Sequence, residues 1–103
     1  MMNLLKSIFG GTDVNAKKLV ENGAMIVDVR TPDEFKGGHI KGAVNMPIGT
    51  IANNLNKLQK HQGPILVYCR SGNRSSMAVR EMKSYGLDAH NGGGLGEMQA
   101  ALR

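Results

Sequence analysis

Two short apolar runs dominate the hydrophobic pattern of this chain. Residues 24–29 read AMIVDV and residues 65–68 read ILVY. Near-continuous apolar runs of this length are typical of parallel strands that are covered on both faces. After the second run, Ala78, Val79 and Met82 recur at the spacing of one helix face. The pattern therefore predicts buried strands that are followed by amphipathic helices.

Weaker patterns extend this alternation over the rest of the chain. Thr31, Pro32 and Glu34 are typical of a helix start, because Thr caps the helix, Pro suits its first position and Glu completes a capping box. Strands that alternate with helices imply an α/β fold, in which a parallel sheet carries helices on both faces. The other predicted elements are a helix on Ala16, Leu19 and Val20, a strand in residues 42–46, a helix on Ile51, Leu55 and Leu58, a last strand in residues 87–91, a tight turn at the glycines 92–94, and a closing helix on Leu95, Met98, Ala101 and Leu102.

Cys69 lies where the second apolar run ends and a polar loop begins. The loop leads from the predicted strand into the predicted helix, so its backbone N–H groups can point inward around the sulfur with the positive end of the helix dipole behind them. Such a position beside arginines lowers a cysteine pKa from about 8.5 to roughly 3.5–7.5, and the thiolate is the nucleophilic form. A lone cysteine after a core strand is often only a small buried hydrophobe, but arginines and serines suit an anion better than an inert thiol. We therefore interpret Cys69 as a reactive thiolate, held by the candidate loop residues Arg70, Ser71, Gly72, Asn73, Arg74 and Ser75.

Two charged residues close to the end of the first run are candidate supports for this site. Asp28 is costly to bury unpaired, so we expect it to accept hydrogen bonds from loop amides or to pair with an arginine. Arg30 either projects towards the mouth of the site or pairs with Glu34, one helical turn away.

Composition narrows the possible partners. The chain has 103 residues and a net charge of +5, which favours small anions as ligands. The basic residues are scattered, and two Tyr and two Phe leave few rings for stacking bases, so we expect no nucleic-acid partner. A single cysteine excludes an intramolecular disulfide and is typical of a reducing compartment, which favours a cytoplasmic location. Neither metal-ligand spacing nor a dinucleotide-binding glycine pattern is found, so we expect no metal and no cofactor.

The pattern divides the chain into a short N-terminal segment, residues 1–11, and one domain, residues 12–103. In the segment, Leu4, Leu5, Ile8 and Phe9 recur at helical spacing, which predicts a short helix packed on the domain or a frayed end. Weak contact with a membrane surface is the alternative for this segment, whereas no stretch is apolar for long enough to span a membrane. We expect the protein to be a monomer.

The sequence resembles the rhodanese, or sulfurtransferase, family in its single-domain form. The resemblance rests on DVRTPDEFKGGHIKGAVNMP in residues 28–47, on YCRSGNRS in residues 68–75 and on the glycines 92–94. It implies a rhodanese-like three-layer α/β/α fold with a central parallel sheet of about five strands. It also implies that Cys69 accepts a sulfane sulfur from thiosulfate or a similar small anionic donor, becomes a persulfide, and passes the sulfur to cyanide in vitro or to a thiol or protein.

The loop chemistry agrees with this resemblance. N–H groups of residues 70–75 would stabilise the thiolate and the persulfide anion, and Arg70 and Arg74 are the natural contacts for sulfonate oxygens, Arg74 more than Arg70. One alternative is a sulfur-relay or binding module with little thiosulfate turnover. Another is a cysteine-dependent phosphatase or arsenate reductase. Four residues separate Cys69 from Arg74, one fewer than in the phosphatases, and this shorter loop favours a sulfur centre.

Overall fold

The computed structural model describes residues 15–103, so the predictions for the segment 1–11 lie outside the described residues. In the described part the elements are α1 (Ala16–Glu21), β1 (Met25–Asp28), α2 (Pro32–Lys36), β2 (Val44–Asn45), a 3-10 turn (Ala52–Asn54), α3 (Leu55–Lys60), β3 (Ile65–Cys69), α4 (Asn73–Ser84), β4 (Ala89–Gly94) and α5 (Leu95–Ala101). None of the helices in residues 15–103 has the length and apolar character needed to cross a membrane.

The strands form one parallel sheet in the order β2-β1-β3-β4. The central register pairs Val27 of β1 with Val44 and Val67, and it pairs Val67 with Asn91 of β4. The predicted α/β fold with a parallel sheet between helices is confirmed, but the expected count of about five strands is not. Residues 15–103 contain four runs of strand character, and each forms one strand of the described sheet.

The two faces of β3 carry two separate cores, because successive side chains of a strand point to opposite faces. Val67 and Cys69 pack in a core with residues of α3 and α4. Leu66 and Tyr68 pack in the other core with residues of α1 and α5. Both faces of β3 are therefore buried, as the uninterrupted apolar run predicted, and the layers are helix, sheet and helix.

The start of α2 forms as its capping residues predicted. The Thr31 hydroxyl accepts a hydrogen bond from the Glu34 N–H at 3.2 Å, and the Glu34 carboxylate accepts one from the Thr31 N–H at 3.0 Å. This reciprocal pair satisfies two N–H groups that the helix leaves open. It also fixes where the Glu34 carboxylate lies, which becomes important for the site below.

The glycines 92–94 do not form the predicted tight turn; they continue β4 to its end at Gly94. Close packing is the physical reason for glycine at positions 92 and 94, whereas Gly93 adopts φ +87°, a left-handed conformation, beside the register shift between β3 and β4. A Cβ at Gly94 would collide with the carbonyl oxygen of Arg70, and a Cβ at Gly92 would lie 2.6 Å from the Met98 sulfur. These glycines therefore let the loop after β3 and the helix α5 lie directly against β4.

Replacing Gly94 by alanine is expected to lower the free energy of unfolding by about 1–3 kcal/mol, because the backbone of Arg70 would have to move. The matched control is Gly96→Ala in α5, where an added Cβ meets nothing within 4 Å and helix propensity should raise stability by up to about 1 kcal/mol. Urea unfolding of both variants measures the difference. Equal stability of the two variants would contradict the close approach at Gly94.

Candidate active site

The candidate site lies at the edge of the sheet where the parallel strands end. Asp28 ends β1, Cys69 ends β3 and Gly94 ends β4, so all three residues lie at the same edge. In open α/β sheets this edge is where ligands bind. Residues from three separate parts of the sequence are thus brought around the loop that joins β3 to α4.

The sulfur of Cys69 is buried and faces polar groups of its own loop. Cys69 is only 1% exposed. The Gly72 N–H donates a hydrogen bond to Sγ at 3.0 Å, and the Ser75 N–H donates one at 3.4 Å. The Ser75 hydroxyl oxygen lies 3.4 Å from Sγ as well. Gly72 adopts φ +107°, a left-handed conformation that turns the chain into the first residue of α4.

Burial and hydrogen bonding act on the Cys69 thiol in opposite directions. Burial alone would raise the pKa of Cys69, because it disfavours the charged form. The Ser75 hydroxyl and the backbone N–H groups of Ser75, Gly72 and Ser71 outweigh burial, and the pKa of Cys69 lies below its ordinary value. A lowered pKa increases the thiolate fraction at neutral pH, so the site favours the nucleophilic form of sulfur.

Asn91 is a site residue that the sequence analysis missed. Its side chain is buried beside the loop: Oδ1 accepts a hydrogen bond from the Ser75 hydroxyl at 2.7 Å and another from the Gly93 N–H at 2.9 Å. Its Nδ2 donates to the Gly72 carbonyl at 3.2 Å. The signal in the sequence was the same one that drew attention to Asp28, a polar residue near the end of a strand.

Arg74 reaches away from the loop and pairs with Glu34 of α2. Its two terminal nitrogens donate to the two Glu34 carboxylate oxygens at 2.8 and 3.0 Å. The Arg74 guanidinium and the Thr31 N–H lower the pKa of Glu34 to about 2. Of the two alternatives for Arg30, pairing with Glu34 is therefore not found. The Glu34 carboxylate points across to α4, because the capping box fixes it at the start of α2.

Arg30 pairs instead with Asp28, and both side chains are buried. The guanidinium donates to the Asp28 carboxylate at 2.7 and 3.0 Å and to the Gly38 carbonyl at 2.7 Å. The guanidinium lies 5.7 Å from the centre of the Tyr68 ring. Burial and the nearby Asp28 carboxylate raise the pKa of the Tyr68 hydroxyl to about 12, so this hydroxyl is neutral at physiological pH. Both alternatives for Asp28 are found, because its carboxylate pairs with the Arg30 guanidinium and also accepts a hydrogen bond from the Arg30 backbone N–H at 2.9 Å.

A cleft of about 290 Å³ opens beside the loop and is the candidate entrance for substrates. Its lining residues are Arg30, Asp33, Glu34, Gly37, Gly38, Arg70 and Leu95. Among the predicted loop residues, Arg70, Ser71 and Asn73 are exposed, whereas Gly72 and Ser75 are buried against the sulfur. In residues 15–103 there is no cluster of three or more His, Cys, Asp or Glu side chains that could hold a metal ion.

Comparison with known proteins gives a consistent match. Residues 12–96 match the family described as the rhodanese-like domain. The chain is 41% identical over 62 residues to a putative sulfur carrier protein of Bacillus subtilis, covering 60% of this chain and 33% of that protein. It is 36% identical over 84 residues to thiosulfate sulfurtransferase 18 of Arabidopsis thaliana, covering 69% of this chain and 62% of that protein.

A solved structure, that of a rhodanese-related protein from Thermoplasma volcanium, superposes with a TM-score of 0.71 at 31% identity. The match covers 84% of this chain and 89% of that one. Several of the curated relatives are longer proteins, and the chain spans between a third and a half of their length.

Replacing Glu34 by glutamine removes the ion pair with Arg74 and is expected to lower the free energy of unfolding by about 1 kcal/mol at neutral pH. The loss is small because both side chains of the pair are partly exposed to water. The folded pKa of Glu34 is about 2, below the roughly 4.3 of an unpaired glutamate, so the unfolded chain binds the proton more tightly. The stabilisation is complete above the unfolded pKa and is lost as the pH falls through about 2.

Urea unfolding of the unchanged chain and of Glu34→Gln, from neutral to acid pH, measures this difference. The gap between the two should close as the pH falls. Glu21→Gln, an exposed position on α1, is the control and should show little difference at any pH. A Glu34→Gln difference that does not change with pH would contradict the ion pair.

Replacing Asp28 by alanine is expected to lower stability by about 3–5 kcal/mol, because the buried guanidinium of Arg30 then has no opposite charge. Combining Asp28→Leu with Arg30→Met removes both charges and should recover a large part of this loss. Asp88→Ala, at an exposed aspartate, is the control and should change stability by less than about 0.5 kcal/mol. If the double variant were less stable than Asp28→Ala, an uncompensated charge would not be the cause.

Proposed function

The chain belongs to the rhodanese-like domain family, and we propose that it is a sulfurtransferase that carries a sulfane sulfur on Cys69. The observation that carries the proposal is the set of hydrogen-bond donors around the Cys69 sulfur. The Gly72 N–H, the Ser75 N–H and the Ser75 hydroxyl all lie within 3.4 Å of Sγ. They favour a negative charge on a sulfur that has little contact with water. On this proposal residues 12–103 act as one rhodanese-like domain.

In the first half of the proposed reaction, the Cys69 thiolate attacks the outer sulfur of thiosulfate. A bond forms between Sγ and that sulfur while the S–S bond of thiosulfate breaks, and sulfite leaves with the electron pair of the broken bond. Cys69 is left as a persulfide whose terminal sulfur carries the negative charge. Preorganised donors that face a developing charge are the usual means of stabilising such a step.

In the second half, a thiophilic acceptor attacks the terminal sulfur of the persulfide. The bond between that sulfur and Sγ breaks, and its electron pair returns to Cys69 as thiolate. Cyanide would leave as thiocyanate, and a thiol or protein thiolate would leave as a persulfide. The loop donors again stabilise the charge that returns to Sγ, so the same geometry supports both halves.

Of the two arginines of the loop, Arg70 is the better placed to contact a small anionic donor. Arg70 is exposed and lines the cleft, whereas the guanidinium of Arg74 is bound to Glu34. We propose that Arg70 makes the first contact with sulfonate oxygens, and that Arg74 chiefly connects α4 to α2 through its ion pair with Glu34. This reverses the order of the two arginines that the sequence favoured.

A sulfur-relay module is the second candidate, and the pairing of Arg74 favours it. With Arg74 held by Glu34, a thiosulfate dianion at the cleft would meet the carboxylates of Asp33 and Glu34 as well as Arg70. A donor that presents a persulfide on a protein requires no sulfonate contact. A relative at 41% identity is named as a putative sulfur carrier protein. On this proposal a protein is both donor and acceptor, and a free thiol fits the reducing cytoplasm.

The expected result is that the purified chain transfers sulfur from thiosulfate to cyanide, and that Cys69→Ser reduces this turnover to background, because serine cannot form a persulfide. Intact mass after thiosulfate treatment should rise by one sulfur atom in the unchanged chain only. Lys83→Ala, at an exposed position of α4, is the control variant and should turn over normally. A phosphatase assay is run in parallel.

A sulfur adduct without turnover on cyanide would favour the relay, and transfer from a persulfidated protein donor then becomes the decisive assay. Absence of an adduct with both donors would overturn the proposed function. Release of phosphate that depends on Cys69 would favour the phosphatase interpretation instead.

A further inference from the structure

The hydroxyl of Ser75 has several acceptors within reach but only one proton to donate. Its oxygen lies 2.7 Å from Asn91 Oδ1, 3.1 Å from the Gly72 carbonyl oxygen and 3.4 Å from Cys69 Sγ. Ser75 is fully buried, so water does not compete for this proton. The shortest of the contacts is the one to Asn91. Asn91 Oδ1 is therefore the preferred acceptor of this proton while Cys69 is an uncharged thiol.

The side chain of Asn91 has a fixed orientation that turns an acceptor towards Ser75. Its Oδ1 accepts from the Gly93 N–H at 2.9 Å, which only the oxygen end of the amide can do. Its Nδ2 donates to the Gly72 carbonyl at 3.2 Å, which only the nitrogen end can do. These two contacts exclude the flipped amide.

Resting on the proposed role of Cys69, we propose that Asn91 is a positioning residue that holds the Ser75 hydroxyl proton while Cys69 is a thiol and releases it to Sγ when the thiol ionises. In the thiol form, Cys69 donates its proton to the Ser75 oxygen, and the Ser75 hydroxyl donates to Asn91. In the thiolate form, the thiol proton has passed to water, and the Ser75 hydroxyl has rotated about its C–O bond to donate to Sγ.

This rotation costs little, because no buried polar atom loses all of its partners. When the Ser75 proton leaves Asn91, Oδ1 keeps the hydrogen bond from the Gly93 N–H. An acceptor left wholly unsatisfied would cost about 1–3 kcal/mol and would lock the hydroxyl in place. The Gly93 contact therefore keeps the two orientations close in energy, and the hydroxyl follows the charge on the sulfur.

The charged groups that face the loop are already paired or exposed. Arg74 of α4 lies close enough to act on the Cys69 charge, but its partner Glu34 of α2 offsets much of that effect. Arg30, which follows β1, is paired with the carboxylate of Asp28. Arg70, in the loop, is exposed. Against Ser75 itself, β4 places the neutral amide of Asn91.

The test is the pKa of Cys69, measured as the pH dependence of alkylation by iodoacetamide. Asn91→Leu removes the nearest competing acceptor and leaves the Gly72 carbonyl at 3.1 Å, so the Ser75 hydroxyl should donate to the sulfur more often, and the pKa of Cys69 should fall by about half a unit or more. If Asn91 only supported the loop, its loss would loosen the donors and raise the pKa. The sign of the shift therefore separates the two accounts, and a rise or no change overturns the proposal.

A double-mutant cycle with Ser75→Ala tests whether the effect of Asn91 on the Cys69 pKa passes through the Ser75 hydroxyl. Ser75→Ala alone should raise the pKa of Cys69, and in that background Asn91→Leu should produce no further shift. Asn91→Asp offers a stronger acceptor with a negative charge, so the pKa should rise by about one unit or more, and at least half of that rise should vanish with Ser75→Ala. A shift of the same size in both backgrounds overturns the proposal.

Asn45→Leu is the matched control. Asn45 ends β2, and its side chain holds the backbone carbonyls of Asp28 and Arg30 at 3.0 Å, away from Ser75. It should lower stability without shifting the Cys69 pKa. Alkylation needs no sulfur donor, so this test stands even if the chain proves inactive on thiosulfate, and a failed sulfur transfer is distinguishable from a failed positioning role.

Discussion

The structure around the candidate site depends on one constraint, which is that a buried sulfur has to carry charge. Burial places Cys69 in the core that joins β3 to α3 and α4, and there an uncompensated thiolate would be unfavourable. The loop resolves this conflict by directing the N–H groups of Gly72 and Ser75 at the sulfur. The contacts of Arg74 and Asn91 help to keep those groups in place.

Two parts of the chain hold the loop, each by a different kind of interaction, and a third holds the segment beside it. Helix α2 holds it by charge, through the pair between Glu34 and Arg74. Strand β4 holds it by neutral hydrogen bonds from Asn91 and by backbone contact at Gly94. At the end of β1, the buried pair of Asp28 and Arg30 stabilises the adjoining loop through the Gly38 carbonyl.

The sequence was most informative where a local pattern decides the structure. The run at residues 65–68, the capping box at Thr31 and the turn of Cys69 into α4 were all predicted, because neighbours in the sequence determine them. Partners from distant segments were not predictable in this way. Glu34 lies closer in sequence to Arg30 than to Arg74, yet the orientation of α2 against α4 pairs it with Arg74. The glycines 92–94 have the composition of a turn, and the reason for glycine inside a strand becomes visible only in the packing of Arg70 against Gly94 and of Met98 against Gly92.

The lowered pKa of Cys69 also links the chemistry of the sulfur to the folding of the whole domain. In the unfolded chain no N–H group of Gly72 or Ser75 is held at the sulfur, so the thiol has an ordinary pKa. Ionisation of Cys69 therefore stabilises the folded state relative to the unfolded one. This contribution to stability is present above the unfolded pKa and is lost as the pH falls through the folded one. The loop thus acts as an anion-binding site, and the anion that it binds is the Cys69 thiolate of the same chain. Any neutral adduct on the sulfur removes that anion, and the loop is then less strongly held than in the thiolate form.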